Sequence, residues 1–561
     1  MSNRFCVIWV ALGAWACAPD MAQSSPSADV ILTRARIWTG DKRVPAAEAL
    51  AIIGERVVAV GSATEIDAWR GDSTKVIDAG GRRVVPGFND AHVHFVEGGQ
   101  QLDNVDLKDA ATPQEFARRI GEQARRTPKG GWVLGGNWDD QQWNPPVLPT
   151  KALIDELTPE TPVFVGRYDG HMGMANSVAL KLAGVTAATP DPPGGTVVKD
   201  AQGNPTGALK DAAMAYVTKV IPPLTKEQRL HAITRALEHA RSLGVTSVQH
   251  MNPDYADIAV YAELAARGEL TTRIYAAPPE MGWRDQAKIG IGRAFGSSML
   301  RVGAVKGYAD GSLGSGTAYF FEPYTDAPKT RGLLSDEMQP LEKMRERLTA
   351  ADKAGLQLCI HAIGDAAISQ VLDLFSDVIR ANGPRDRRLR IEHAQHMAAR
   401  DFSRFATMNV IASVQPYHAI DDGRWAERRI GPERIKTTYA FRTFLDRGVR
   451  LALGTDWYVA PLDPMQTLYA ATTRATLDGA HPDGWVPEQK ISVEEALTAY
   501  TAGSAYAEFQ ERDKGTLARG MLADLVVLSD DILAIPPARL KDVKVTLTMV
   551  GGKVVFPAGE K

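Results

Sequence analysis

Two histidines, His92 and His94, flank a single valine in the run PGFNDAHVHF. On a β-strand, residues two apart project from the same face. The pair therefore presents two imidazoles side by side, an arrangement suited to holding one metal ion. Four more residues with metal-binding or acid–base chemistry sit in short apolar runs further along. His361 closes GLQLCIHAIGD, His393 closes RLRIEHAQ, Asp456 closes RLALGTDW, and Lys306 interrupts RVGAVKGYADG. A lysine buried among apolar residues is costly to keep charged, so its pKa falls. The neutral amine can then take up carbon dioxide as a carbamate, whose two oxygens bridge a pair of divalent ions. The plainer alternative is a lysine that snorkels or pairs with Asp310.

These residues need elements that bring them together. Adding RRVVPGFNDAHVHF, GVTSVQHM, LTTRIYAAP and NVIASVQPYH to the runs above gives eight short β-prone segments. Helical stretches lie between several of them. The clearest is TKEQRLHAITRALEHARSLG, where Thr225 and Gln228 form a capping box, Leu230, Ile233, Leu237 and Ala240 make an apolar stripe, and Gly244 stops the helix. Strands alternating with helices predict an α/β protein built on a (β/α)8 TIM barrel. In that fold the C-terminal strand ends converge on one face, which would gather all six side chains there.

The barrel is expected over 86–504. Val/Ile-rich, glycine-punctuated runs at 29–85 and 505–561 are too small to bury separate cores, so they are expected to pair into one small β-sandwich. A stretch of about 97–226, between barrel strands 1 and 2, reads as an inserted subdomain over the catalytic face with a lid role.

With 561 residues the chain is long enough for two or three domains. Lys plus Arg number 64 against 67 Asp plus Glu, a net charge of -3 that gives no pull toward nucleic acid or anionic lipid. The basic MSNR followed by the apolar FCVIWVALGAWACA matches a signal peptide over 1–24, too short for a comfortable membrane span. Export to the periplasm or beyond is the expectation. Cys17 weakly resembles a lipoprotein acceptor, so a lipid anchor stays open, as does a retained N-terminal anchor. Cys6 and Cys17 fall in that leader, which leaves Cys359 alone and excludes an internal disulfide in the mature body.

The chain resembles the amidohydrolase superfamily, in particular the family 3 branch that includes the N-substituted formamide deformylases. The resemblance rests on VVPGFNDAHVHF, GNWDDQQW, GHMGMANSVAL, VKGYADGSLGS, HAIGDAA, IEHAQ, SVQPYH, LGTDW and GTLARGMLADLVVL, which span nearly the whole mature chain. It implies a barrel plus a small β-sandwich and a binuclear metal centre. By that resemblance His92, His94 and Asp456 hold one metal and His361 and His393 the other. An N6-carboxylated Lys306 bridges them. Asn89 departs from the aliphatic residue often found before the first-strand Asp90. Zinc is expected from the imidazole-rich donors, with iron or manganese as alternatives. A metal lowers the pKa of water toward about 7, and a carboxylate such as Asp456 can shuttle the proton as general base and then acid. The chemistry implied is hydrolysis of an amide-type C–N bond in a small molecule, N-formyl or N-acyl. The alternatives are a cyclic imide, an exocyclic amine or an ester, or a barrel without catalysis. A homo-oligomer is also expected by resemblance.

Other residues have weaker claims. His171 and Asn176 contact substrate or steady the lid. Trp138, Asp139 and Trp143 line a pocket or form the core of the insertion. Gln415 and His418, after strand seven, face the metals as substrate-binding candidates. His250 is expected to support the site, and His231 and His239 to face solvent on their helix. GGK near Gly551 lacks the strand-to-helix context of a phosphate loop.

Overall fold

A computed structural model describes residues 27–557. The leader expected over 1–24, with Cys6 and Cys17, lies outside those residues. Among the described residues no helix is long and apolar enough to cross a membrane.

Eight strands carry the site: β1 (Phe88–Val93), β2 (Val245–Met251), β3 (Arg273–Ala277), β4 (Ala304–Tyr308), β5 (Gln357–Ala362), β6 (Arg390–His393), β7 (Ile411–Val414) and β8 (Leu451–Leu453). Parallel pairing joins β1 to β2 and β2 to β3 in one sheet, and β4 through β8 in sequence in another. Two further parallel bridges, Val93 to Trp457 and Pro279 to Lys306, connect the two sheets at their edges. This is a TIM-barrel-like α/β fold. The strands are nearly continuously buried, which is why they read as apolar runs rather than as alternation.

Two of the expected strands are each two strands. Arg83–Pro86 pairs with the C-terminal Leu525–Leu528, and β1 starts only at Phe88. Gly87 makes the break, where a Cβ would lie 2.1 Å from Thr246 Oγ1. Likewise Leu300–Val302 pairs with β3, whereas β4 pairs with β5. Gly303 between them has φ +113°, and a Cβ there would sit 2.0 Å from the Gly292 carbonyl oxygen. Neither contact is local in sequence, so an apolar run conceals both breaks.

Helix α1 (Phe95–Gln101) follows β1 and packs on α2 (Lys226–Ser242). The capping box of Thr225 and Gln228 is formed, and Ala232, Ile233, Ala236, Leu237 and Ala240 are buried on the packed face. His231 is exposed and pairs with Asp103 at 2.8 Å. His239 does not face solvent as expected; its ring lies 5.3 Å from that of Trp457.

Between these helices a six-stranded sheet spans 105–211 and has a core of its own, with Phe116, Trp138, Trp143, Val165 and Met174. Phe95 and Val96 of α1 instead join the cluster around α2, so the inserted sheet starts later than residue 97. At the other end of the barrel, strands from both chain ends share a sheet, and Leu32, Ile37, Leu50, Val84, Leu525 and Met549 form one cluster. The expected boundary at 505 cuts through a segment that closes the barrel floor. There Gln249 donates to Ser504 O at 2.8 Å, Gln357 to Ala507 O at 2.7 Å, and Asn89 to Glu508 Oε1 at 2.6 Å. The unusual Asn89 therefore has a structural partner below the site.

Candidate metal centre

The strand ends bring the six side chains together. His92 Nε2 lies 3.5 Å from Lys306 Nζ and 3.5 Å from Asp456 Oδ1. His94 Nε2 approaches the same carboxylate oxygen at 3.3 Å. The imidazole centroids are 4.8 Å apart for His92 and His393 and 4.5 Å for His361 and His393. Single donor atoms of His92, His393 and Asp456 all fall within 4.8 Å of one another. The group opens on a cavity of about 420 Å³.

Backbone geometry sets these positions. Asp456 and His393 have φ of 60° and 73°, left-handed values that cost a non-glycine residue about 1–3 kcal/mol each. The Asp456 N–H donates to His92 O at 2.7 Å, which ties the end of β8 to β1. Asp90 strengthens that tie by accepting from Thr455 N at 3.0 Å, Thr455 Oγ1 at 2.8 Å and Tyr500 OH at 2.8 Å. Burial pushes Asp90 up to about 7 even with these donors.

Asp456 Oδ1 is buried without a well-aligned hydrogen-bond donor, and so is His418 Nε2. An unsatisfied buried carboxylate oxygen ringed by imidazoles is what a divalent cation would satisfy. The residues present thus fit the metal centre implied by the resemblance. Burial drives His92 down to about 4, and drives His361 and His393 well below the usual range, with neighbouring positive groups adding to the effect. Neutral imidazoles keep a lone pair available, the form that binds metal. Burial also lowers the Lys306 amine, against the pull of Glu392 and Asp456.

Several supporting residues escaped the sequence reading. Glu392 Oε2 lies 2.7 Å from His92 Nδ1 and is itself held by Arg390 Nε, which donates to Oε1 at 2.8 Å. Burial alone would raise the Glu392 carboxyl, but Arg390 and His92 hold it at about 2. Arg390 and Glu392 stand two apart in the buried run RLRIEH, a charge pair on one strand face that was available as a signal. Asp310 accepts from three backbone N–H groups, of Tyr319 at 2.8 Å, Ile363 at 2.9 Å and Gly364 at 2.8 Å, and lies 3.6 Å from His361 Nε2. The sequence offered it only as a partner for Lys306, and nothing in its spacing pointed to His361.

The substrate candidates divide. His418 lines the cavity, with Nε2 3.9 Å from Asp456 Oδ2. His171 also lines it; its Nδ1 pairs with Asp211 Oδ1 at 2.7 Å, and its ring lies 5.0 Å from that of His361. Gln415 does not reach the cavity. It is fully buried, and its Oε1 accepts from His393 Nδ1 at 2.9 Å, which leaves His393 Nε2 as the free nitrogen. Trp138 is a correction: it is fully buried in the insertion's core, its Nε1 donating to Val165 O at 3.0 Å, and it does not line the cavity. Trp143 likewise donates to Ala110 O at 2.8 Å. Asp139 is occupied by Arg167 at 3.0 Å. Asn176 caps a short helix by accepting from Ala179 N at 2.9 Å, a structural role. The buried ring of His250 meets Tyr261 OH through Nδ1 at 2.9 Å.

Residues 75–556 match the sequence profile of the amidohydrolase family. This chain belongs to that family. It is 38% identical over 545 residues to Protein LONG AFTER FAR-RED 3 of Arabidopsis thaliana, covering 94% of this chain and 92% of that one. It is 28% identical to the N-substituted formamide deformylase of Arthrobacter pascens, covering 93% and 97%. Among solved structures it resembles an uncharacterized metal-dependent hydrolase from Pyrococcus horikoshii OT3, with TM-score 0.74 and 30% identity over 91% of this chain and 99% of that one. The protein is accordingly an enzyme, a metal-dependent hydrolase acting on carbon–nitrogen bonds.

Proposed function

We propose that the enzyme cleaves the amide-type C–N bond of an N-formyl or N-acyl amine. In this reading Asp456 acts first as general base and then as general acid. The observation that carries it is the buried, unsatisfied Asp456 Oδ1 among His92, His94 and His393. His92, His94 and Asp456 would hold one divalent ion, His361 and His393 a second, and Lys306 as its carbamate would lie between them. Zinc suits these donors. When bound, such ions supply Lewis acidity, lowering the pKa of water toward about 7 and polarising a carbonyl.

The chain's own groups do the rest. Asp456 takes a proton from the attacking water and returns it to the departing nitrogen as the C–N bond breaks. Asp456, held in a left-handed backbone conformation, lines the cavity. Glu392 and Gln415 fix the rings of His92 and His393 through their Nδ1 atoms. His418 and His171 face the cavity and contact the bound substrate. The loops of the insertion close over it and exclude water. The printed name of the Arthrobacter pascens relative makes N-substituted formamides the first compounds to assay.

Asp456→Asn is expected to lower kcat by on the order of 10²–10⁴ while the circular dichroism spectrum stays that of wild type. Near-normal turnover by this variant refutes the proton-transfer role. Chelation should abolish activity and zinc restore it. Turnover by protein shown to be free of metal refutes the hydrolytic scheme.

A further inference from the structure

The cavity contains a carboxylate that the reaction does not use. Glu97 stands in the first turn of α1, one turn beyond His94, and lines the cavity beside Asn252, Tyr308 and Tyr458. We infer that Glu97, with the rings of Tyr308 and Tyr458, forms a subsite for a cationic group on the amine portion of the substrate. This rests on the amide-hydrolase reading and names the substrate class within it: N-acyl derivatives of diamines or other ammonium-bearing amines.

The other acidic groups facing the cavity, apart from Asp456, are partnered or open to solvent. Asp169 is held by Arg167 at 2.7 Å, and Asp211 by His171 at 2.7 Å. Asp310 takes its three backbone donors, and Asp422 accepts from Tyr168 at 3.1 Å and Tyr439 at 2.6 Å. Glu337 accepts the Tyr308 N–H at 2.8 Å, and Asp336 is solvent-exposed. Glu97 faces His250 alone. Its nearest basic group is His250 Nε2 at 3.4 Å from Oε2, and neither atom makes a well-formed hydrogen bond although both are buried. Oε2 is thus turned to the protein, while the side chain as a whole stays 42% exposed and lines the cavity.

The lining supplies no cationic side chain beyond the proposed metal site itself. Among the described residues that line the cavity there is no arginine, and Lys306 is the single lysine. Lys306 Nζ lies 4.5 Å from the Tyr308 centroid, so this ring stands beside the metal ligands while lining the cavity. The Tyr458 ring stands edge-on to His94 at 6.2 Å, beside the metal ligands. Aromatic walls and a free carboxylate together make the surroundings in which alkylammonium groups bind. A carboxylate-bearing N-acyl amino acid would meet repulsion in the same corner.

The test compares three N-formyl amines of equal chain length ending in ammonium, methyl or carboxylate, on the full-length zinc-loaded enzyme. The expected kcat/KM is higher for the ammonium compound than for the methyl compound by about tenfold, with the carboxylate lowest. Added sodium chloride should shrink that ratio. In Glu97→Gln the ratio should fall to about one, and in Glu97→Asp to an intermediate value. A ratio near one in wild type, or an undiminished ratio in Glu97→Gln, overturns the inference while leaving the hydrolase reading intact. Should Glu97→Gln fail to fold, Tyr458→Leu is read in the same way. If none of the three compounds is turned over, the amide reading fails instead. The subsite is then judged by calorimetric titration of the free diamine against its monoamine, where equal affinity overturns it.

Discussion

Glu392→Gln isolates what the protein contributes to metal binding from outside the ligand set. Glu392 touches no cavity; it holds His92 Nδ1 at 2.7 Å and is clamped by Arg390 at 2.8 Å. The substitution keeps the shape and an acceptor oxygen but removes the charge. Two effects follow, and they separate experimentally. The first falls on the metal: loss of a carboxylate behind a ligating imidazole costs about 10–100-fold in affinity, equivalent to about 1.4–2.7 kcal/mol. The second falls on the fold, because Arg390 becomes a buried charge without its counter-ion, a change worth about 3–5 kcal/mol. Arg390 keeps hydrogen bonds to Ala91 O at 2.7 Å and Ser413 Oγ at 3.1 Å, which places the cost at the lower end, about 3 kcal/mol. Dialysis against a graded series of chelator buffers, with zinc per chain measured by atomic emission, reads the first effect. Urea unfolding of the metal-free protein reads the second. Excess zinc should return much of the lost activity. If the variant holds zinc within twofold of wild type, the claim that Glu392 tunes His92 is wrong, whatever happens to stability.

Trp138→Phe should lower stability by about 1–3 kcal/mol, because it removes the indole donor to Val165 O from a buried site, and KM should not move. A raised KM at unchanged stability would return Trp138 to the substrate wall. Asp524 gives the pH prediction. Arg273 holds it with two bonds, of 2.7 and 2.8 Å, and joins β3 to the C-terminal strands. Burial would raise this carboxyl, but Arg273 overrides it and the net shift is downward. A lowered folded-state pKa contributes stability that is complete above the unfolded value, about 3.9, and is lost as pH falls through the folded one. The stability gap between wild type and Asp524→Asn should therefore be widest at neutral pH and close below about pH 4, as followed by thermal melts. A gap that is constant across that range would refute the linkage.

The convergence of the six candidate side chains was legible because each ends or interrupts an apolar run, and a buried strand leaves few reasons to place histidine, lysine or aspartate there. The TIM-barrel-like fold was legible for the same reason. What the sequence concealed depends on contacts between distant segments. Gln415 followed strand seven and was expected to face substrate, yet it supports the His393 ring, since only the fold shows that β6 and β7 are neighbours. For Trp138 an aromatic ring in the insertion suits a pocket wall and a core equally, and only the fold shows it in the core. The breaks at Gly87 and Gly303 depend on Thr246 and on the Gly292 carbonyl, which no local pattern reports.

The division has a physical basis. Metal ligands must be of particular residue types, so their chemistry is written locally. Positioning needs only some donor or acceptor at the right distance, which many residue types provide. Glu392, Gln415 and the Gly311 carbonyl perform that one task for His92, His393 and His361. Glu97 falls between the two kinds: its type matters, but its place in the cavity lining is a property of the assembled fold. A carboxylate one turn after His94 could equally have been neutralised by a nearby arginine. The basic residues sit elsewhere, Arg167 on Asp169 and His171 on Asp211, and Glu97 keeps only His250 beside it, the condition for the cation subsite proposed above.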